Sequence, residues 1–218
     1  MGDRPEKGRG TVTIPWRDPE ILLKLKRLAG RRLTLAGLDP APKGTTGWAW
    51  ALFDGHDVVE CGLGESGLQQ ALLEILNRNP LAVGIDAPLH PPYRGFRAAE
   101  REVIRRLGAR LLPGGFPGMR ELSAKGLSIA WCLWEAGIAP VETHPGTVRR
   151  LLGLSLGGHV WDALLSLYTT ACAVFGEASV FHASDGLLLF PRDSSGCRRL
   201  IHVLEGCAPE SLPDKFEG

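Results

Sequence analysis

Three apolar stretches of the chain each end on an acidic residue, and this repeated pattern most constrains what the chain can fold into. They cover residues 33–39, 81–86 and 138–142. Short apolar runs bounded by turn-forming residues are typical of buried strands. Open α/β sheets bind ligands beyond the carboxyl ends of their strands, so an acid at each of three strand ends indicates a functional site.

The segments around these stretches predict a mixed α/β sheet. Strands at 33–39, 47–53 and 58–63 follow one another closely, and Asp54-Gly55 predicts a hairpin turn between the last two. A helix with Ser66 as its cap then leads to the strand at 81–86. A helical crossover sets that strand parallel to the first. We expect the strand at 138–142 to lie parallel beside them.

The rest of the chain is predicted to be helical, apart from one hairpin. Residues 87–118 form a proline-punctuated insertion with a basic helix near 97–107. Further helices are predicted at 119–136, 145–152 and 159–175, and an edge hairpin around 180–190. The predicted domains are an N-terminal extension at 1–30 (disordered through residue 16, then helical), the main domain at 31–191 and a polar tail at 192–218.

Composition narrows the class of protein. The net charge of +1 gives no general attraction to nucleic acid or membranes, so phosphate binding must be local. The five cysteines are scattered and form no CxxC pair, which argues against a disulfide framework or a zinc site and favours a reducing compartment. No apolar run approaches the roughly 18 residues that span a bilayer. We expect a soluble, cytoplasmic protein with no membrane partner.

The strand-end acids favour a divalent metal. Asp39 and Asp86 are expected to lie about one strand spacing apart, roughly 4.8 Å. Like charges at that range raise one pKa strongly unless a cation compensates them. Mg²⁺ or Mn²⁺ prefers carboxylate oxygens, and two such ions can clamp an in-line phosphoryl displacement.

Longer motifs carry a resemblance to a known family. In order, they are GLDPAPKGTTGWA (37–49), GIDAPL (84–89), the pair Arg97 and Glu100, FPGMRELSAKG (116–126), VETHPG (141–146), WDALLSLYTT (161–170) and DGLLLFP (185–191). With these motifs the chain resembles the DUF429 family of predicted nucleases, which has the ribonuclease H-like fold. The resemblance implies a five-stranded mixed sheet of order 3-2-1-4-5, flanked by helices, with a helical insertion after strand four. It also implies a metal-dependent nuclease that acts on nucleic acid.

The resemblance also implies which residues act. Asp39, Asp86 and Glu142 match the strand-end acids of the family and Asp162 its helix acid, so all four are predicted to be catalytic and to bind Mg²⁺ or Mn²⁺. Asp162 lies opposite the main apolar stripe of its predicted helix, on a row of small residues. This small face could approach the sheet closely.

Seven further residues are predicted to bind the substrate. Lys43, Thr45 and Thr46 lie in a loop suited to phosphate. Residues 92–125 carry eight basic and three acidic residues, a net charge of +5, which suits a nucleic-acid backbone. Within that region Arg97, Arg120 and Lys125 match family motifs. His144, like His159, lies near a predicted acid and could move a proton.

Alternatives remain open at this stage. Asp39 and Asp86 could be turn caps, Glu142 could pair with an arginine, and the basic region could be a solvated helix face. The G-x-S-x-G match at 153–157 is weak evidence for a serine hydrolase, because a helix rather than a strand is predicted before it. An actin-like phosphotransferase would turn over ATP. A catalytically inactive nucleic-acid-binding protein would bind metal without hydrolysis.

Overall fold

Five strands form one mixed sheet in the computed structural model, which describes residues 14–91, 93–155 and 157–207. They are β1 (Leu33–Pro40), β2 (Thr46–Asp54), β3 (Asp57–Ser66), β4 (Ala82–Ile85) and β5 (Ala139–Glu142). Their order is β3-β2-β1-β4-β5. The first three pair antiparallel, whereas β4 and β5 run parallel to β1. The predicted sheet order and the parallel crossover are confirmed.

Helices pack against this sheet and connect several of its strands. They are α1 (Glu20–Lys26), α2 (Leu68–Leu76), α3 (Ala98–Leu107), α4 (Pro117–Glu135), α5 (Pro145–Leu152), α6 (His159–Val174) and α7 (Ser195–Glu205). A short 3-10 turn, Pro15–Arg17, precedes α1. As predicted, α3 and α4 are inserted between β4 and β5. The predicted Ser66 cap is wrong, because Gly67 occupies the N-cap position of α2. Among the described residues, no helix is both long enough and apolar enough to cross a bilayer.

Helix α6 lies directly on the sheet because glycines on three strands leave room for its backbone. A Cβ atom at Gly37 of β1 would collide with the carbonyl oxygen of Ala163, and one at Gly84 of β4 with that of Ser166. A Cβ at Gly47 of β2 would collide with the first residue of the helix. The predicted close approach of this helix to the sheet is thus confirmed, although Ser166 is the one member of the predicted small row found at these three contacts. It brings the first turn of α6 against the carboxyl end of β1.

The N-terminal segment belongs to the core from residue 14 onward. Ile14 and Trp16 are buried. The Trp16 ring packs against Trp131, with ring centroids 4.8 Å apart, and its Nε1 donates a hydrogen bond to Leu89 O. The predicted disorder is therefore wrong for residues 14–16, while residues 1–13 lie outside the described part. Burial of a large aromatic ring orders a segment whose local sequence shows no periodicity.

The C-terminal region differs from the prediction in two ways. Strands β6 (Ala178–Ala183) and β7 (Gly186–Pro191) form a separate two-stranded sheet rather than an edge of the central one. Residues expected to be a polar tail instead form α7, whose apolar face is buried at Leu200, Ile201 and Leu204 and packs against α6 and β3. Residues 208–218 of the predicted tail lie outside the described ranges.

One disulfide corrects the interpretation of the cysteines. Cys61 of β3 and Cys207, just after α7, are bonded with an S–S distance of 2.09 Å. Their sequence separation is 146 residues, so spacing alone could not show that β3 and the end of α7 meet.

Candidate metal centre

Three of the four predicted acids meet at one rim of the sheet. Asp39 lies near the end of β1, Asp86 directly follows β4, and Asp162 lies in the first turn of α6. Each offers a carboxylate oxygen, and these oxygens all lie within 4.8 Å of one another. The parallel pairing of Leu38 with Ile85 sets Asp39 beside Asp86. We call Asp39, Asp86 and Asp162 the acidic cluster.

Burial raises the pKa of every member of the acidic cluster, and repulsion from other members raises it further at Asp86 and Asp162. The pKa of Asp86 is raised well above its usual range by burial and then by Asp39 and Asp162. Burial also raises the pKa of Asp39, although its hydrogen bond with His159 works in the opposite direction. Burial raises the pKa of Asp162 to about 6, against the influence of Arg149. Such a cluster favours either protons or a cation.

The donor atoms fit a hard divalent cation. Asp162 Oδ1 is buried and accepts no hydrogen bond from any described residue, although Arg149 Nε lies 3.4 Å away. Leaving a buried acceptor without a hydrogen bond is costly. Carboxylate oxygens in a set of three are donors that Mg²⁺ and Mn²⁺ prefer. Coordination of a cation would satisfy Asp162 Oδ1 and offset the repulsion in the cluster.

Two basic residues border the acidic cluster. His159 Nδ1 lies 2.5 Å from Asp39 Oδ2, and this hydrogen bond raises the pKa of His159. Arg149 of α5 reaches Asp162. The sequence indicated His159 only by its position three residues before Asp162, and nothing in the sequence singled out Arg149. The packing of the start of α6 against β1 is what brings both residues to the acidic cluster.

The structure does not place Glu142 in the acidic cluster. Its two oxygens accept hydrogen bonds from both terminal nitrogens of Arg97, and one of them also accepts from Leu89 N at 2.9 Å. Arg97 Nε donates in turn to Glu100 at 3.0 Å. The insertion after β4 therefore delivers an arginine to the end of β5, and the alternative that Glu142 pairs with an arginine is the arrangement observed.

Two predicted substrate-binding residues, Arg97 and Thr46, are buried, and a third, His144, is half-buried. Arg97 is only 4% exposed. Thr46 is buried at the start of β2. His144 caps α5 by accepting a hydrogen bond from Thr147 N, and burial lowers the pKa of His144. Arg97 and Thr46 cannot reach a substrate in this conformation because they are buried, and the observed role of His144 is to cap α5.

The other four predicted substrate-binding residues lie at or near the surface. Lys43 and Arg120 are exposed. Thr45 is exposed and donates a hydrogen bond to Glu65. Lys125 is half-buried and holds the loop after β1 by donating to the carbonyls of residues 41 and 42, at 2.5 and 2.9 Å.

Much of the basic region is a solvated helix face. Arg105 and Arg106 of α3 pair with Glu102, and Arg101 donates to the carbonyl of Phe96. Exposed pairs of this kind need no ligand. The excess positive charge available to a partner is therefore smaller than the sequence suggested.

The serine-hydrolase alternative is excluded by its local structure. The elbow of such enzymes follows a strand, whereas α5 precedes this motif and Gly153 ends that helix with a φ of 70°. Ser155 therefore follows a helix.

Comparisons with protein families, with curated proteins and with solved structures found no match for this chain. The assignment of function therefore depends on the geometry of the acidic cluster itself.

The raised pKa of Asp162 predicts a pH-dependent stability. The folded protein keeps the Asp162 proton up to about pH 6, whereas the unfolded chain releases it near the ordinary value of 3.8. The folded state thus binds more protons in this interval, so the free energy of unfolding falls as pH rises from about 4 to above 6. Because the pKa of Asp162 is higher by about 2 in the folded protein than in the unfolded chain, the free energy of unfolding should fall by about 3 kcal/mol over this range.

Urea unfolding in the presence of a chelator, compared between the wild type and Asp162→Asn across this range, measures the effect. The variant has no carboxylate at this position and should lack that part of the slope. If the free energy of unfolding changed with pH in the same way in both proteins, ionisation of Asp162 would not be disfavoured in the folded state.

Proposed function

We propose that the protein is a Mg²⁺- or Mn²⁺-dependent phosphodiesterase that hydrolyses nucleic acid at the acidic cluster. The observation that carries this proposal is the convergence of three carboxylates, from two parallel strand ends and one helix, within 4.8 Å. Their raised pKa values, together with Asp162 Oδ1, which is buried without a hydrogen bond from the described residues, favour a bound cation over three free charges.

The order of the sheet supports a ribonuclease H-like assignment. An antiparallel meander followed by two parallel strands, in the order β3-β2-β1-β4-β5, is the arrangement that the DUF429 resemblance implies. Acids at the ends of β1 and β4 and on the helix that crosses them match the positions expected for that fold. Because one fold hosts many functions, the proposal depends on the site more than on the fold.

Each cluster residue has a distinct task in this proposal. Asp39 and Asp86, adjacent on neighbouring strands, would hold the cation between them, and Asp162 would close the set from α6. His159 fixes the orientation of the Asp39 carboxylate through its hydrogen bond. When bound, the cation would lower the pKa of a coordinated water and stabilise the charge that develops on the phosphate. Glu142 has no ligand role here, because Arg97 and Leu89 already occupy its oxygens.

Exposed basic residues would hold the phosphate backbone. Lys43, in the loop after β1, and Arg120, near the start of α4, are predicted substrate-binding residues that are exposed. Contacts between such side chains and phosphates weaken as salt concentration rises. We therefore expect cleavage to be sensitive to salt.

A hydrolysis assay tests the proposal. Labelled single-stranded and duplex DNA, single-stranded RNA and an RNA–DNA hybrid are incubated with the protein and Mn²⁺ or Mg²⁺, with chelator as the metal-free control. We expect cleavage of at least one substrate with metal, and a loss of at least about 100-fold in Asp39→Asn, since even outer-shell changes at metal sites cost 10–100-fold. Asp57→Asn, at an exposed surface aspartate, should cleave like the wild type.

Three outcomes would overturn the proposal. Cleavage by Asp39→Asn at the wild-type rate would remove the acidic cluster from the reaction. ATP turnover without cleavage of any nucleic acid would favour a phosphotransferase. Metal binding with neither activity would favour a binding protein that has lost catalysis.

A further inference from the structure

Two buried thiols meet where α7 packs on α6, far along that helix from the acidic cluster. Cys172 lies in α6 and Cys197 in the first turn of α7, and both are buried. Their Sγ atoms are 2.7 Å apart. We propose that Cys172 and Cys197 are a redox-active dithiol that hydrogen peroxide oxidises to a second disulfide, which fixes α7 on α6.

The distance between the sulfurs leaves little motion to complete the bond. A disulfide bond is about 2.05 Å long, so the two Sγ atoms need to approach by well under 1 Å. The partners are 25 residues apart in sequence and belong to different helices. Bond formation would therefore cross-link two separate elements rather than neighbouring residues of one turn.

The two thiols have different reactivities. Cys197 N donates a hydrogen bond to Ser194 Oγ, the N-cap of α7, which places the thiol at the positive end of a helix. The hydrogen bond from Cys172, and then that with Ser194, lower the pKa of Cys197 to about 7. Burial raises the pKa of Cys172 well above its usual range. Cys197 is therefore the thiolate that reacts first, and Cys172 is the thiol that resolves the intermediate.

A small cavity beside the pair has room for the oxidant. Its volume is about 180 Å³, and Cys172 and Cys197 line it together with His56, Phe175 and Arg199. A water molecule occupies about 30 Å³ in the liquid, so hydrogen peroxide fits this space. Bulkier disulfide reagents such as oxidised glutathione do not.

The reaction proceeds in two balanced steps. The Cys197 thiolate attacks one peroxide oxygen, so that an S–O bond forms, the O–O bond breaks and hydroxide leaves, giving a sulfenic acid. The hydroxide becomes water by taking up the proton that Cys197 released when it ionised. Cys172 then attacks Cys197 Sγ. The S–S bond forms, the S–O bond breaks, and the hydroxyl group leaves as water with the Cys172 proton. The two thiols lose two electrons in total, and the peroxide is reduced to two water molecules.

This cross-link would complement the disulfide already present. Cys61–Cys207 holds the chain just after α7 to β3, whereas Cys172–Cys197 would hold the first turn of α7 to α6. Together they would anchor both ends of the C-terminal helix. Cys132 of α4 is free and exposed, so it reports general thiol oxidation within the same molecule.

Peptide mapping tests the proposal on the full chain. The protein is reduced, desalted, treated with hydrogen peroxide, alkylated, and digested with trypsin without reduction. Cleavage after Arg150, Arg192 and Arg198 separates the two cysteines into peptides 151–192 and 193–198. We expect a linked pair of these peptides that dithiothreitol releases, and a thermal midpoint about 5–10 °C above that of Cys172→Ser oxidised in the same way, since both proteins re-form Cys61–Cys207.

Two cysteine variants and two contrary results complete the test. Cys172→Ser should give no linked peptide and should leave Cys197 as sulfenic or sulfinic acid, whereas Cys132→Ser should cross-link like the wild type. Wild-type protein in which Cys132 is oxidised while Cys172 and Cys197 stay as free thiols would overturn the proposal. So would over-oxidation of Cys197 without any link to Cys172. Both contrary results are obtained with the wild-type protein, so neither depends on whether a variant folds.

Discussion

Replacing Asp86 by Asn is expected to stabilise the metal-free protein at neutral pH and to abolish its stabilisation by Mn²⁺. Burial and the charges of Asp39 and Asp162 penalise the ionised Asp86 carboxylate. An amide of the same shape removes that repulsion, so the free energy of unfolding should rise in the presence of a chelator. The same change removes a central oxygen ligand, so Mn²⁺ should no longer bind and stabilise the folded protein.

Thermal unfolding with and without Mn²⁺ separates these two effects. A ligand at 100 times its dissociation constant stabilises a folded protein by about 2.7 kcal/mol, which raises the midpoint of a chain of this size by roughly 5–10 °C. We expect this shift in the wild type and none in Asp86→Asn. Asp86→Asn should have the higher unfolding midpoint without metal and the wild type the higher midpoint with Mn²⁺. This reversal is specific to a cation site, because a general change in packing would shift the midpoint equally in both conditions.

A surface aspartate provides the matched control. Asp57 pairs with Arg199 at an exposed position on β3, and both side chains are 74% exposed. Asp57→Asn makes the same chemical change outside the acidic cluster and should keep the full Mn²⁺ shift. If Mn²⁺ also raised the unfolding midpoint of Asp86→Asn, the acidic cluster would not be the metal site, whether or not the protein cleaves nucleic acid.

The sheet, Asp39 and Asp86 could be predicted because short local patterns indicate them, whereas Asp162 was predicted from the family resemblance. Continuous apolar runs that end on Asp39 and Asp86 indicate buried parallel strands. Helical crossover rules then place those ends on one rim. The small row on α6 predicted a close approach, and the glycines at 37, 47 and 84 allow it. Strand periodicity and crossover handedness are properties of short segments, so one sequence is enough to reveal them.

Pairings between distant segments could not be predicted in this way. Arg97 and Glu142 are 45 residues apart, and several arginines of the insertion were equally eligible partners by charge. Trp16 finds Leu89 at a separation of 73 residues. Each pairing depends on how the inserted helices and the N-terminal turn pack on the sheet. Residue types can suggest a partner, but only packing selects it.

Truncation of Arg97 is expected to cause the largest loss of stability among the basic residues considered for substrate binding. Its guanidinium group pairs with both Glu142 and Glu100 in the interior, and all three side chains are less than 10% exposed. Arg97→Ala would leave two buried carboxylates without their counter-charge. Removing one partner of a buried ion pair typically costs about 3–5 kcal/mol, and we expect a loss of that size in urea unfolding at neutral pH.

Arg120→Ala is the control that separates a structural arginine from a substrate-binding one. Arg120 is exposed, so its truncation should change the free energy of unfolding by no more than about 0.5 kcal/mol. It should weaken binding of nucleic acid and reduce the salt dependence of that binding. If Arg97→Ala instead unfolded at the wild-type urea concentration and lost only affinity for nucleic acid, Arg97 would belong to the substrate surface. Glu142 would then be free to join the acidic cluster as a fourth ligand.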